Sequence, residues 1–287
     1  MTCIETRRLG HLNSQLWNSL PSQWHLIGSP LRPVEQDAEI IMKTLENVRD
    51  ISGYSTTQTA LLLGVTPEIA TLNWPAEFKL LAVDRSPGMI AAVWPGDEAW
   101  RSVTCADWLS LPFPDNSFDF VVGDGCLVLM HYPDEYRRLS ASLRQCLRSE
   151  GVLMLRIFCR PTQVESVDDV FMDIQKRAIG SFDAFKWRLI MAVQGDDVAG
   201  GALLADVWRV WRRYVPDPQI FAQEQGWSFQ KVQVIDTYHD SPTRYHYPTL
   251  EEVCKEFGDD FELAWSQVGE YELAERCPHV MFRPKRA

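Results

Sequence analysis

Short apolar runs alternate along this chain with stretches whose apolar residues recur every three or four positions. Between Thr59 and about Phe158, the runs 59–64, 78–83, 101–105, 118–123 and 151–158 read as buried strands separated by helical stretches. That alternation is the pattern of a parallel sheet with crossover helices. Before the last run, Tyr136, Leu139, Leu143 and Cys146 mark a helix from about Asp134 to Leu147. Ser149-Glu150-Gly151 reads as its end, glycine being the usual residue just past a helix terminus.

The flanks differ. Residues 1–55 hold an opening dotted with Trp17 and Trp24, a Gly28-Ser29-Pro30-Leu31-Arg32-Pro33 turn, and a helix from Val34 to Val48 whose Ile40, Ile41, Leu45 and Val48 share one face. Pro33 stands where a first-turn proline is tolerated. Residues 161–245 break the alternation and read as helices Val170–Ile179, Phe182–Val193, Leu203–Tyr214 and Ser228–Tyr238. In the third, Leu204, Val207, Trp208, Trp211 and Tyr214 form a stripe backed by Arg209, Arg212 and Arg213, an amphipathic element that reads as a lid packed on a crevice. Its tryptophans read first as core. After Pro248 come a helix to about Phe257 and two strand-like pieces, 260–268 and 278–283. The chain therefore divides into an N-terminal element (1–55), a core (56–160), a helical insertion (161–245) and a C-terminal completion of the sheet (246–287).

The core strands end in glycines or carboxylates: Leu61-Leu62-Leu63-Gly64, Leu80-Leu81-Ala82-Val83-Asp84, Cys105-Ala106-Asp107-Trp108 and Phe118-Asp119-Phe120-Val121-Val122-Gly123-Asp124-Gly125. In an open α/β sheet, ligands bind at the carboxyl ends of the strands, so these residues line one cleft. A pyrophosphate cofactor wants G-x-G-x-x-G, whereas Gly64-Val65-Thr66-Pro67-Glu68-Ile69 has one glycine. Thr66-Pro67-Glu68 reads as a helix start, with cap, first-turn proline and acidic first turn. Asp84 follows Gly64 by twenty positions (84 − 64), the spacing at which a carboxylate reaches a ribose diol. The competing reading is an N-cap for the helix near Pro87, a task Ser86 could share.

In this order the four segments resemble the class I, Rossmann-like methyltransferases that use S-adenosylmethionine. The resemblance covers roughly residues 55–160 plus the last forty and implies a seven-stranded, mostly parallel α/β sheet with helices on both faces. It implies S-adenosylmethionine as cofactor, with Gly64 and Thr66 on the first loop beside it. The family's pattern has an acidic residue before that glycine and more glycines after it; here Leu62, Val65, Thr66 and Glu68 stand there. Leu81-Ala82-Val83-Asp84-Arg85-Ser86-Pro87-Gly88-Met89-Ile90 resembles the second motif, which puts Asp84 and Arg85 at the ribose and Met89 on the adenine. Asp107, before Leu111-Pro112-Phe113-Pro114-Asp115-Asn116-Ser117-Phe118-Asp119, stands where the family's carboxylate takes the adenine amino group. Trp108 either stacks on adenine or covers the sheet edge. Gly123, Asp124 and Gly125 lie beside the methionine part, Asp124 holding its ammonium or the acceptor, or being a solvated turn residue.

An activated methyl donor leaves the protein mainly to orient the acceptor and exclude water, so no nucleophile triad is needed. Where the acceptor must lose a proton, His131 and Tyr132 are the candidate bases, against the plainer reading of a loop with Pro133 at a helix start. His239, Arg244, Tyr245 and His246 form a second polar-aromatic cluster, and Arg32 is either a bidentate partner for the cofactor carboxylate or a surface residue. No metal-ligand spacing appears, so no metal is expected.

The formal charge of −11 over 287 residues, without a basic run, argues against nucleic acid and favours a small, partly apolar acceptor. The seven scattered cysteines include no C-x-x-C pair and suit a reducing compartment. With no apolar run of spanning length and none after Arg7 and Arg8, the expectation is a cytoplasmic protein away from membranes. Two rivals keep the fold: a protein that binds an adenosine ligand without transferring methyl, and an interaction protein with an empty crevice. A dehydrogenase ranks last for want of the glycine fingerprint.

Overall fold

The computed structural model describes residues 20–52 and 57–285; Trp17 lies outside them, as do the side chain of Val48 and the N-terminal Arg7 and Arg8. A 3-10 turn, Leu20–Leu26, leads through the Gly-Ser-Pro turn into helix α1, Glu35–Ser52. The core follows as β1 (Gln58–Leu63), α2 (Pro67–Ala70), β2 (Phe78–Asp84), α3 (Pro87–Val93), β3 (Arg101–Cys105), β4 (Phe118–Asp124), α4 (Asp134–Cys146) and β5 (Leu147–Arg156). The intervening cap comprises α5 (Val167–Gln175), α6 (Phe182–Gln194), β6 (Ala202–Leu203), α7 (Leu204–Tyr214), α8 (Pro218–Gln225), α9 (Phe229–Val232), a 3-10 turn (Gln233–Tyr238) and β7 (Arg244–Tyr245). Helix α10 (Leu250–Phe257) and strands β8 (Phe261–Gln267) and β9 (His279–Pro284) complete the order.

The main sheet has seven strands in the order β3-β2-β1-β4-β5-β9-β8, parallel from β3 to β5, with β9 antiparallel to β5 and to β8. This is the expected mostly parallel Rossmann-like sheet. Its apolar runs are continuous because both faces are covered. In β1, Ala60 and Leu62 pack with Ile40, Ile41 and Leu45 of α1, while Leu61 and Leu63 face Leu139 and Leu143 of α4 and Val253 and Phe257 of α10. A period of two then puts an apolar residue on each face at every step.

Two local expectations are corrected. Gly151 does not end α4: the helix closes at Cys146 and β5 starts at Leu147, with a register shift between the pairs Phe118–Leu147 and Phe120–Val152. A Cβ on Gly151 would lie 2.8 Å from Leu147 Cδ1 and 2.9 Å from the Arg148 carbonyl, so this glycine serves the bulge. The cap also contains α8, which the apolar spacing did not announce. Its ends carry the ordinary signals: Asp217 accepts from the N–H groups of Gln219 and Ile220, Pro218 opens the first turn, and Gly226 is left-handed beyond the last.

The cap has a core of its own. Trp211 and Val207 of α7 are buried against Phe182, Phe185 and Phe221, as the tryptophan stripe suggested, whereas Trp208 is partly exposed and donates to Asp236 at 3.1 Å. Tyr214 is exposed and stacks on Phe171, ring centroids 4.2 Å apart. Among the described residues no helix is long and apolar enough to cross a membrane.

Candidate functional site

The parallel strands all deliver their carboxyl ends to one rim. Gly64 leaves β1 at φ +96°, its N–H bonded to the Val83 carbonyl at 2.8 Å. A Cβ built there would point into a gap bounded by Trp108 Cζ2 at 3.8 Å and Asp84 Oδ2 at 3.9 Å. Glycine is therefore required for its left-handed backbone and leaves a cradle between a carboxylate and an indole. The next residues behave differently from a plain cap. Pro67 opens α2, but the Thr66 hydroxyl makes no cap hydrogen bond, and Thr66 lines the cavity instead. Glu68 is taken by Arg32, whose Nε donates to its Oε1 at 2.6 Å.

Asp84 ends β2. Its Oδ1 accepts the Ser86 N–H at 2.8 Å, while Ser86 Oγ accepts from Met89 N and caps α3. The cap reading thus belongs to Ser86, and Asp84 Oδ2 is left toward Gly64. Burial raises the Asp84 carboxyl above its ordinary value, partly offset by the Ser86 N–H and the Arg85 charge. Arg85 is exposed at the mouth, and Met89 is buried with Val65 and Val93. Asp107 Oδ1 caps the turn that follows β3 by accepting the Leu109 N–H at 3.0 Å. Trp108 donates Nε1 to the Val83 carbonyl at 2.7 Å, which fixes its indole across the end of β2.

At the end of β4, Asp124 accepts Arg156 Nε at 2.6 Å and borders the cavity. Arg156, 2% exposed at the end of β5, also donates to the Pro30 carbonyl at 3.0 Å and to Tyr271 at 3.1 Å. Asp37 lies 3.6 Å from the same guanidinium and accepts from Val34 N, Tyr271 and His279. Burial pushes the Asp37 carboxyl up, but the His279 bond, the Arg156 charge and the Val34 N–H outweigh it and hold the group below its ordinary value. Asp124 is therefore not a solvated turn residue; it is one end of a buried ionic chain that runs to α1. Gly125 (φ +58°) lies under Phe158, whose ring would be 2.8 Å from a Cβ there. Gly123 sits behind the wall, where a Cβ would meet Leu155 at 3.0 Å and Cys126 at 3.1 Å.

Gly64, Thr66, Asp84, Arg85, Met89, Asp107, Trp108, Asp124 and Gly125 thus border one cavity, while Arg32 and Gly123 do not. Arg32 instead donates to the Trp24 carbonyl at 3.2 Å as well as to Glu68, tying the N-terminal segment to α2. His131 and Tyr132 also fall outside the lining. His131 is exposed and packs edge-on to His246; the Tyr132 hydroxyl donates to Glu256 at 3.1 Å. Burial and the neighbouring Glu256 raise the Tyr132 hydroxyl to about 12. In the second polar cluster, Tyr245 reaches the cavity, Arg244 bonds the Gly200 carbonyl, and buried His246 bonds Val198.

Opposite the sheet rim, the cavity is closed by residues with no strand-end signal: Trp24 and Leu31 from the N-terminal segment, Lys186 and Ile190 of α6, and Tyr238, Tyr245 and Tyr247. The last three meet edge to face, with centroids 6.5 and 6.3 Å apart. Lys186 could have been noticed as the one lysine inside an otherwise mostly apolar helix, FDAFKWRLIMAV.

Residues 61–155, about a third of the chain, match the family model of the methyltransferase domain. That segment carries the sequence pattern of a methyltransferase domain. No protein of curated function matches the sequence. Among solved structures, one from Rhodobacter sphaeroides named for zinc-dependent alcohol dehydrogenases is 13% identical with a TM-score of 0.60, covering 96% of this chain and 99% of its own. That likeness is one of fold: among the described residues no three His, Cys, Asp or Glu side chains gather to hold a metal ion. The N-methyltransferase NodS from Bradyrhizobium japonicum, solved with S-adenosylhomocysteine, is 14% identical at a TM-score of 0.47, covering 96% of this chain and 98% of its own. The 1,6-didemethyltoxoflavin-N1-methyltransferase of Burkholderia thailandensis gives 14% and 0.47, over 96% and 90%.

S-adenosylmethionine, the donor used by this domain class, supplies a methyl already activated on a sulfonium. The chain's residues fit it. The Gly64 cradle admits a ligand atom where a side chain would intrude, and the buried Trp24 Nε1 on the cavity wall lacks a protein acceptor.

Proposed function

We propose that the domain transfers the methyl group of S-adenosylmethionine to a small, partly apolar acceptor held between the sheet rim and the cap. The observation that carries this reading is the cavity's two unlike walls: carboxylates and a glycine cradle on one side, apolar and tyrosine side chains on the other. Asp84 would accept the ribose hydroxyls, needing no metal to do so. Met89 and Trp108 would flank the adenine, with Asp107 at its amino group through Oδ2. Asp124, held in place by the Arg156 Nε–H, would bind the cofactor's ammonium. Phe158, Leu31 and the tyrosines would exclude water around the methyl and align the acceptor, the main contributions that such a transfer asks of a protein.

The net charge of −11 and the cavity between rim and cap support a small molecule over nucleic acid, and the scattered cysteines without a C-x-x-C pair support a cytoplasmic setting away from membranes. Calorimetric titration with S-adenosylmethionine and S-adenosylhomocysteine tests the reading. Saturable binding weakened by Asp84→Ala and by Asp107→Ala is the expected result. Absence of binding to the wild type would move the weight to a fold kept for interaction, and tight binding without turnover on any acceptor to a ligand-binding role.

A further inference from the structure

The cavity's acceptor side holds a cation that the methyl-donor reading leaves unused. Lys186 is 3% exposed, yet it borders the cavity. Its Nζ lies 3.4 Å from Asp183 Oδ1, and Lys231 Nζ lies 3.5 Å from Oδ2 of the same carboxylate. Asp183 Oδ2 further accepts the Gly28 N–H at 3.0 Å. Close charge-assisted pairs run about 2.7–2.9 Å, so both lysine contacts are long. One carboxylate thus serves two ammoniums and a backbone donor, and the cluster carries a net positive charge. An ammonium has three donors. Asp183 takes one of those on Lys186, at long range, and burial denies the others bulk water. Burial also pulls the Lys186 pKa down, against the opposing pull of Asp183, with Lys231 adding to the fall.

A buried, underused cation beside apolar wall has a specific chemical complement. Ile190, Val234 and Phe158 border the same cavity, as do the rings of Tyr238, Tyr245 and Tyr247. The opposite rim carries Asp84, Asp107 and Asp124, with Arg156 paired behind Asp124 and Arg85 exposed at the mouth, so Lys186 is the cation on the cap side toward which an anion inside the cavity is drawn. We propose that Lys186 selects the acceptor: a hydrocarbon or aromatic molecule that carries an anionic oxygen group, carboxylate or phenolate, paired with the Lys186 ammonium. This inference rests on the methyl-transfer reading and narrows its substrate class. Lys231, absent from the cavity lining, supplies charge to Asp183 without touching the acceptor.

The test is calorimetric titration of the full chain, saturated with S-adenosylhomocysteine, with naphthalene probes that differ only in their polar group. The probes are 2-naphthoate, 2-naphthol, neutral 2-acetonaphthone and cationic 2-naphthylmethylammonium. We expect 2-naphthoate to bind at least about tenfold tighter than the neutral and cationic probes, the scale of a hydrogen bond to a charged group. Lys186→Met should abolish that preference while leaving S-adenosylhomocysteine affinity intact, a readout that also shows the variant to be folded. Lys231→Met should keep the preference. 2-Naphthol binding that strengthens as pH rises toward the phenol's ionisation would assign the group to a phenolate; a 2-naphthoate preference that is present at neutral pH and weakens only as alkaline pH discharges Lys186 assigns it to a carboxylate. Equal affinities for all probes, or an anion preference that survives Lys186→Met, would overturn the proposal and leave the methyl-transfer reading standing. Failure of the wild type to bind S-adenosylhomocysteine would overturn both.

Discussion

The two walls of the cavity are built by different rules. The sheet wall is local: Gly64, Asp84, Asp107, Asp124 and Gly125 each end their strand or follow it by one or two positions, so the parallel register that aligns Leu63 with Val83 and with Gly123 also aligns these residues. The cap wall is assembled from distant pieces. Gly28 meets Asp183 across 155 positions, and Lys186 of α6 borders the same cavity as Tyr247. A wall made by register keeps its geometry when one side chain changes, whereas a wall made by packing depends on contacts far along the chain. Sheet-wall variants should then change cofactor affinity, cap-wall variants acceptor choice, and variants in the ionic chain that ties Asp124 to α1 stability.

The largest expected effect lies in that link. Arg156→Met leaves Asp124 and Asp37 as buried carboxylates without their cation, a loss of about 3–5 kcal/mol. Thermal denaturation should show a fall in Tm of roughly 10 °C. A near-wild-type Tm would mean that Asp124 and Asp37 do not depend on Arg156. The pH dependence has a defined sign. Because the Asp37 carboxyl is held below its ordinary value, it stabilises the fold above that value, and the contribution is lost as pH falls through the folded-state one. Without Arg156 the depression shrinks, so acid unfolding should begin at higher pH than in the wild type.

Next comes the sheet wall itself. Asp84→Asn should weaken S-adenosylhomocysteine binding by on the order of a hundredfold, measured by calorimetry, since it removes the charged acceptor of two hydroxyls. Since burial raises the Asp84 carboxyl, wild-type affinity should fall on acidification sooner than an ordinary aspartate would dictate, and that fall should vanish in the Asn variant. Gly64→Ala combines about 1–2 kcal/mol of left-handed backbone strain with a methyl in the gap between Asp84 and Trp108. A reduced Tm together with weaker binding is expected; full affinity would show that the cradle is not used. The smallest effect is expected outside both walls, where His131→Ala should change turnover less than about threefold, its ring being exposed against His246. A large loss of kcat there would restore His131 as the base.

The same contrast explains what could be read from the sequence. The strands from 58 to 124, and the gathering of Gly64, Asp84, Asp107 and Asp124 at one rim, were legible because continuous apolar runs and strand-end residues carry their own local signal. Arg32 misled because its partner, Glu68, is chosen by how the N-terminal segment folds back over the rim, which no local spacing records. Gly151 misled because a bulge and a helix stop use the same residue. His131 and Tyr132 stand one turn beyond a strand end yet point away, toward His246 and Glu256. Lys186 and Arg156 had a signal of another kind: a charge inside an apolar segment, which burial tolerates only with a partner, Asp183 one helical turn back for Lys186 and Asp124 on the neighbouring strand for Arg156.

The most direct test of the central claim is a crystal structure of the chain with S-adenosylhomocysteine. The account predicts the ribose hydroxyls on Asp84, the adenine between Met89 and Trp108 with its amino group at Asp107, and the amino acid part reaching Asp124. A ligand bound elsewhere, or one whose ribose avoids Asp84, would contradict it.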